Sequence, residues 1–350
     1  KDINLEKLSI WYGGTKHLKN TTTADIYITA ENDLVLGDLK ITPTHYYYPR
    51  SGMGNDIIFK ARNILSNQDP LEMAYVKARR PYEQLDAWSY IKHQGSVKFI
   101  AEEKLELGVM KFISVPGVRS RELVTEFRAN DITLGLEDSG QGLNKAFMEF
   151  TEEAYGVNNS LNLLNKTRND KLIISAKNDV RLLSGVDITA NSMTVEAKNL
   201  NINGSKITVG GTFESKVDVQ DSFLLSGGST IGSLSPIGMA GSTDSDPVSL
   251  SISSGNLVLE PDSYIVATNH GGDITGNKPI ADLNIQSGEI SLEDAFISTR
   301  STNAAKAGDL ELTATAIALD EDSRIGSYSL GQGESGDITI GSSRLTMSGG

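Results

Sequence analysis

The stretch GDLELTATAIALDEDSRIGSY, residues 308 to 328, carries its apolar residues in pairs one position apart: Leu310 with Leu312, Ile317 with Leu319, then Ile325 after Asp322. Apolar side chains at i and i+2 follow the period of two of a half-buried strand, and nothing recurs at i+3, i+4 and i+7 as an amphipathic helix requires. The same pattern precedes it in ADLNIQSGEISLEDAFIST, with Leu283 and Ile285, Ile290 and Leu292, then Asp294 and Ile297. It occurs earlier in VSLSISSGNLVLEPDSYIVAT (Leu250 and Ile252, Leu257 and Leu259, Asp262 and Ile265) and later in GDITIGSSRLTMSGG (Ile338 and Ile340, Leu345 and Met347). These units begin at Leu250, Leu283, Leu310 and Ile338, 33, 27 and 28 positions apart. This is a repeat with variable loops.

The front half follows the same grammar less cleanly. Ile26 pairs with Ile28, Leu34 with Leu36, Leu39 with Ile41, Val97 with Phe99, Leu105 with Leu107, Leu172 with Ile174, Val180 with Leu182 and Val186 with Ile188. Met193 and Val195, Leu200 and Ile202, and Ile207 and Val209 form a further unit. A small residue follows the first strand at Ala30, Ala101, Ala176 and Ala197, as a tight corner needs. Ser, Gly, Asn and Asp fill the gaps and supply turns. Each unit therefore reads as two or three strands of three to five residues joined by corners.

Units of this length cannot bury their apolar faces alone and must stack, each strand pairing with its equivalent in the next unit. The expected fold is all-β: a single parallel β-helix, a solenoid with loop insertions at about 43–56, 66–95 and 138–170. Its core is a column of Leu, Ile and Val, consistent with 38% hydrophobic and 6% aromatic residues. Roughly a dozen turns at about 4.8 Å each make a rod on the order of 60 Å long.

Composition narrows the context. No cysteine is present, so there is no disulfide framework and no Cys-based zinc site. The net charge of −13 argues against nucleic acid and against an anionic membrane surface as partners. No run of about 18 apolar residues exists to span a bilayer as a helix. The sequence begins at Lys1 without an apolar leader and stops in mid-unit, which reads as one segment of a processed or longer polypeptide.

The units GDLELTATAIALDEDSRIGSYSLGQGESGDITI and LIISAKNDVRLLSGVDITANSMTVEAKNLNI resemble the haemagglutinin-type repeats of filamentous-haemagglutinin-like exoproteins, adhesins that Gram-negative bacteria export by two-partner secretion. The resemblance spans about residues 22 to 42, 95 to 135 and 170 to 350. It implies a right-handed β-helix, a secreted or cell-surface location, and an outer-membrane β-barrel transporter as export partner.

Departures from the repeat carry the candidate specific function. Residues 66 to 95 are locally basic and aromatic in an acidic chain, with Tyr75, Lys77, Arg79, Arg80, Tyr82, Trp88, Tyr90 and Lys92. Aromatic faces stack on sugars and Arg forks bind carboxylates or phosphates, so one reading is a protrusion that grips a host or neighbour-cell glycan or protein. The other reading is an excursion packed back on the shaft. The stretch THYYYPRSGMGND puts Tyr46, Tyr47 and Tyr48 in a row, which cannot all point inward on a strand, and the two loops fall on adjacent units. Between Leu143 and Tyr155, Ala146, Phe147, Phe150 and Ala154 stand at near-helical spacing, open to a short helix or to a unit with longer strands.

Parallel β-helices also serve as polysaccharide lyases and glycosidases, whose sites want carboxylates about 5 to 10 Å apart. Asp262, Asp294 and Asp322 recur at one register, but in the turn sequences PDSY, EDAF and EDSR, where Asp serves a corner. His17, His45, His93 and His270 lack metal spacing, and no nonapeptide calcium repeat, P-loop or G-x-S-x-G is present. The reading is a structural and binding protein without cofactor or metal. A glycan-active enzyme or phage-type spike, and a filament or surface-layer subunit, are the alternatives.

Overall fold

The computed structural model describes residues 1–12, 25–43, 56–67, 89–93, 96–108, 110–114, 123–135, 148–152, 170–190, 192–210, 214–234, 248–269, 281–302, 306–320 and 322–348. These residues are all-β, and their strands, numbered in chain order, pair in parallel. The pairings sort into three ladders, because each strand joins the equivalent strand of the next unit.

The first ladder runs through β2 (Ile26–Thr29), β4 (Ile57–Ser66), β6 (Val97–Leu107), β8 (Leu123–Ala129) and β11 (Asp170–Ala176). It continues through the front halves of β14 (Ser192–Asn203), β16 (Ser215–Ser226), β18 (Val248–Leu259), β20 (Ala281–Leu292), β22 (Leu310–Leu319) and β24 (Ile338–Met347). The second ladder uses the rear halves of those long strands together with β9 (Asp131–Leu134) and β12 (Asp179–Leu182). The third begins with the rear parts of β1 (Ile3–Tyr12) and β3 (Asp33–Pro43), whose front parts join the second ladder, and passes through β5 (Ser89–His93), β7 (Met110–Ser114), β10 (Met148–Glu152) and β13 (Val186–Ala190). It ends with β15 (Lys206–Val209), β17 (Thr230–Leu234), β19 (Tyr264–Asn269), β21 (Phe296–Ser301) and β23 (Arg324–Ser329).

The repeat read from sequence is therefore a stack. Leu283 pairs with Leu310 and Leu310 with Ile338 at one register, and the first two are almost wholly buried. A neighbouring inward file runs Ile28, Phe59, Phe99, Phe127, Ile174, Val195, Val217, Ile252, Ile285, Leu312 and Ile340. Three phenylalanines thus stand in a core expected to be aliphatic. Phe59 and Phe99 stack with centroids 4.4 Å apart at 3°, and Phe99 and Phe127 at 5.6 Å and 21°.

One expectation needs correction. Pairs such as Ile26/Ile28, Val180/Leu182, Val186/Ile188 and Ile207/Val209 do form separate strands of four or five residues, but elsewhere two pairs share one strand: β14, β16, β18 and β20 each run 12 residues through the bend. A file of mostly small residues, broken by Val219, lies at that bend, where Ala61 meets Ala101, Ala129 meets Ala176, Ala197 meets Val219 and Ser287 meets Ala314. Small side chains let the backbone change direction while pairing continues, at the cost of a register shift at Ala197/Asn199 and Val219/Ser222. Because one bent strand serves two ladders, the pairings of β6, β8, β11, β14, β12 and β9 close into a six-stranded ring.

Of the two alternatives for the stretch from Leu143 to Tyr155, its described part, Met148–Glu152, takes the strand: it is β10, paired with β7 and β13. Near-helical spacing over nine residues cannot compete with two flanking strands that each offer a row of hydrogen-bonding groups.

The next corner uses left-handed backbone. Gly204 (φ 58°), Gly228 (73°), Asp262 (62°), Asp294 (43°) and Asp322 (63°) hold the turn into the third ladder on successive units. The three aspartates are corner residues standing where earlier units use glycine. Left-handed backbone costs an L-residue about 1–2 kcal/mol, least for Asn and Asp. Asp294→Gly is accordingly expected to hold or raise the thermal midpoint, whereas Asp294→Val should cost about 1–2 kcal/mol in denaturant unfolding.

Candidate interaction surface

The residues singled out for ligand contact, Tyr46, Tyr47, Tyr48, Tyr75, Arg79, Arg80, Tyr82 and Trp88, lie outside the described residues. Their anchors are described. The tyrosine stretch leaves from Pro43, at the end of β3, and the basic stretch re-enters at Ser89, the start of β5. β3 and β5 are adjacent in the third ladder, so the anchors stand on neighbouring rungs but at opposite ends of a strand.

Some of the charge on the outer faces is paired. Glu126, 9% exposed in its side chain, lies 2.6 Å from Arg128 and 3.9 Å from Lys98. Arg62 sits 2.7 Å from Glu103, and that hydrogen bond raises the guanidinium above its usual range. Lys216 lies 2.9 Å from Asp218, whose hydrogen bond likewise raises the ammonium. Pairs as exposed as the last two contribute little stability and mainly keep the faces soluble.

Outward on the third ladder, Tyr264 and Phe296 stack at 5.2 Å and 24°, and the Arg324 guanidinium lies 5.5 Å over the Phe296 ring. Tyr264 comes from the preceding unit and Arg324 from the following one, so both faces of Phe296 are covered. The Phe296 ring therefore lacks the open face that a sugar would stack on.

A recurring inter-unit clip was missed in the sequence. Asp309 N–H donates to Asp282 Oδ1 at 2.8 Å, and Leu283 N–H donates to the Asp309 carbonyl at 3.0 Å. The same reciprocal pair joins Asp309 to Asp337 (2.9 and 2.8 Å), Asp25 to Asp56 (3.0 and 2.8 Å) and Asp56 to Ser96 (2.9 and 2.8 Å). Each side chain continues the ladder one step past the strand end, satisfying a backbone donor that the strand leaves open. Its signal is an Asp directly before the first inward aliphatic: ADIYI, NDIIF, ADLNI, GDLEL and GDITI. A second polar file at the next bend joins Asn63 Nδ2 to Asp33 at 2.8 Å and Asn199 Nδ2 to Asp179 at 2.9 Å.

Among the described residues no group of three or more His, Asp or Glu is placed to hold a metal ion, and no helix is long and apolar enough to cross a membrane. No protein-family model, curated protein or solved structure matches the chain.

Proposed function

We propose that the chain is a right-handed parallel β-helix serving as the shaft of a secreted, filamentous-haemagglutinin-like adhesin or exoprotein on a bacterial surface. The observation that carries this reading is the in-register stacking of every unit on the next, which extends the molecule by about 4.8 Å per unit. Right-handedness is the hand that parallel crossovers adopt. Such a shaft carries recognition surfaces away from the cell, and variable loops can be inserted at its corners while the stacked core stays unchanged.

The recognition surface is the tyrosine stretch and the basic, aromatic stretch, with Tyr46, Tyr47, Tyr48, Tyr75, Arg79, Arg80, Tyr82 and Trp88 contacting a glycan or protein of a host or neighbouring cell. Export runs through an outer-membrane β-barrel partner. The role is structural and binding rather than catalytic.

Purified protein tested on a glycan array and on host cells should bind. The triple variant Arg79→Ala, Arg80→Ala, Trp88→Ala should lose that binding with an unchanged melting temperature. Release of sugars from acidic polysaccharides would instead establish a glycan-active enzyme, and concentration-dependent filaments without binding would establish a subunit.

A further inference from the structure

The clip file at Asp282, Asp309 and Asp337 places carboxylates on three consecutive rungs, the first two accepting the next rung's backbone N–H. Like charges one rung apart, about 4.8 Å, repel, and the repulsion grows where water is displaced. Asp282 and Asp309 are both half-buried, and Asp337 is exposed. Among the described residues the cation beside this pair is Lys306, whose Nζ lies 3.5 Å from Asp309 Oδ1. On the other side of Asp282 the register partner is Ser249, which carries no charge.

We infer that the Asp282–Asp309 clip is a proton-responsive latch with Asp282 as its titrating group: mild acid tightens the seam between β20 and β22, and neutral pH loosens it. Protonation removes the repulsion and the desolvation cost while leaving a carbonyl oxygen to accept the Asp309 N–H. Burial pushes the Asp282 carboxyl above its usual range, with the neighbouring Asp309 carboxylate adding to this; the Asp309 N–H and Lys306 act in the opposite direction. For a group raised in the folded state, the stabilisation is complete below the unfolded pKa, about 3.9, and is lost as pH rises through the folded value. The responsive window therefore opens just above pH 4. Serine occupies the same place at Ser96, whose hydroxyl accepts the next rung's Val124 N–H at 3.4 Å, an uncharged acceptor at this position.

Hydrogen exchange at the Asp309 and Leu283 amides, corrected for intrinsic rates, tests the latch between pH 4 and 7.5. Protection in the wild type should be severalfold higher at the acidic end, and in Asp282→Asn it should be flat across the range. Asp282→Ser provides the same comparison where the asparagine variant folds poorly. Equal pH dependence in wild type and variants, or wild-type protection that rises with pH, would overturn the proposal.

Discussion

Phe99→Ala is expected to lower the unfolding free energy by about 3–5 kcal/mol, the range for removing a fully buried aromatic ring. The cost has two sources. Burial is lost and a cavity opens, and the stacks with Phe59 and Phe127 disappear together. Each such aromatic pair contributes about 0.5–1.5 kcal/mol beyond its area. Because every unit touches only its neighbours, the damage should concentrate around β4, β6 and β8 and leave the amides of β20 and β22 protected. Phe99→Leu keeps most of the volume and should cost less than about 1.5 kcal/mol. Denaturant unfolding with residue-level hydrogen exchange checks both parts. A loss below about 1 kcal/mol for Phe99→Ala would mean that the three rings do not form a continuous inward file.

Gly308→Val should be the next most damaging change. A side chain at Gly308 would overlap the Ala281 carbonyl and crowd the Asp282 amide nitrogen, which are backbone atoms that cannot rotate away. Accommodation requires β22 to separate from β20 beside the Asp282–Asp309 clip. Overpacking of this kind costs about 1–3 kcal/mol and occasionally more. Gly336 stands one unit later against the Gly308 carbonyl and should be equally intolerant. Gly341 is the control, since a Cβ there meets nothing closer than 3.6 Å. Gly341→Ala should leave the melting temperature unchanged, while Gly308→Val lowers it by several degrees; equal effects would contradict the close approach.

The stack was legible in the sequence because its signal is local and repeated. Leu283 with Ile285 and Leu310 with Leu312 show period two within five residues, and the units line up by simple comparison. Register across long excursions is not local. Phe59 meets Phe99 only after the 66–95 excursion is passed over, and no pattern inside either segment announces the contact. The fusion of short strands into 12-residue ones was hidden for a related reason: Ala197 and Ser287 look like breaks in a single chain, and they become bends only when the next unit holds both sides in pairing. The clip aspartates carry a weaker sequence signal than Asp262, Asp294 and Asp322, because an Asp preceding Ile or Leu lacks the turn context that marks those three. Those three proved to be corner residues in left-handed backbone, as their turn sequences suggested.

The central claim is that distance along the molecule counts rungs rather than residues. The chain lacks cysteine, so spin labels can be placed in pairs without background. Outward positions Tyr27, Lys216 and Thr339 share one file of the first ladder, with Lys216 six rungs and Thr339 ten rungs from Tyr27. Pulsed electron–electron resonance on the corresponding cysteine pairs should give about 29 Å for 27–216 and about 48 Å for 27–339, at about 4.8 Å per rung. A 27–339 distance equal to or shorter than the 27–216 distance would contradict the stack and the shaft built on it.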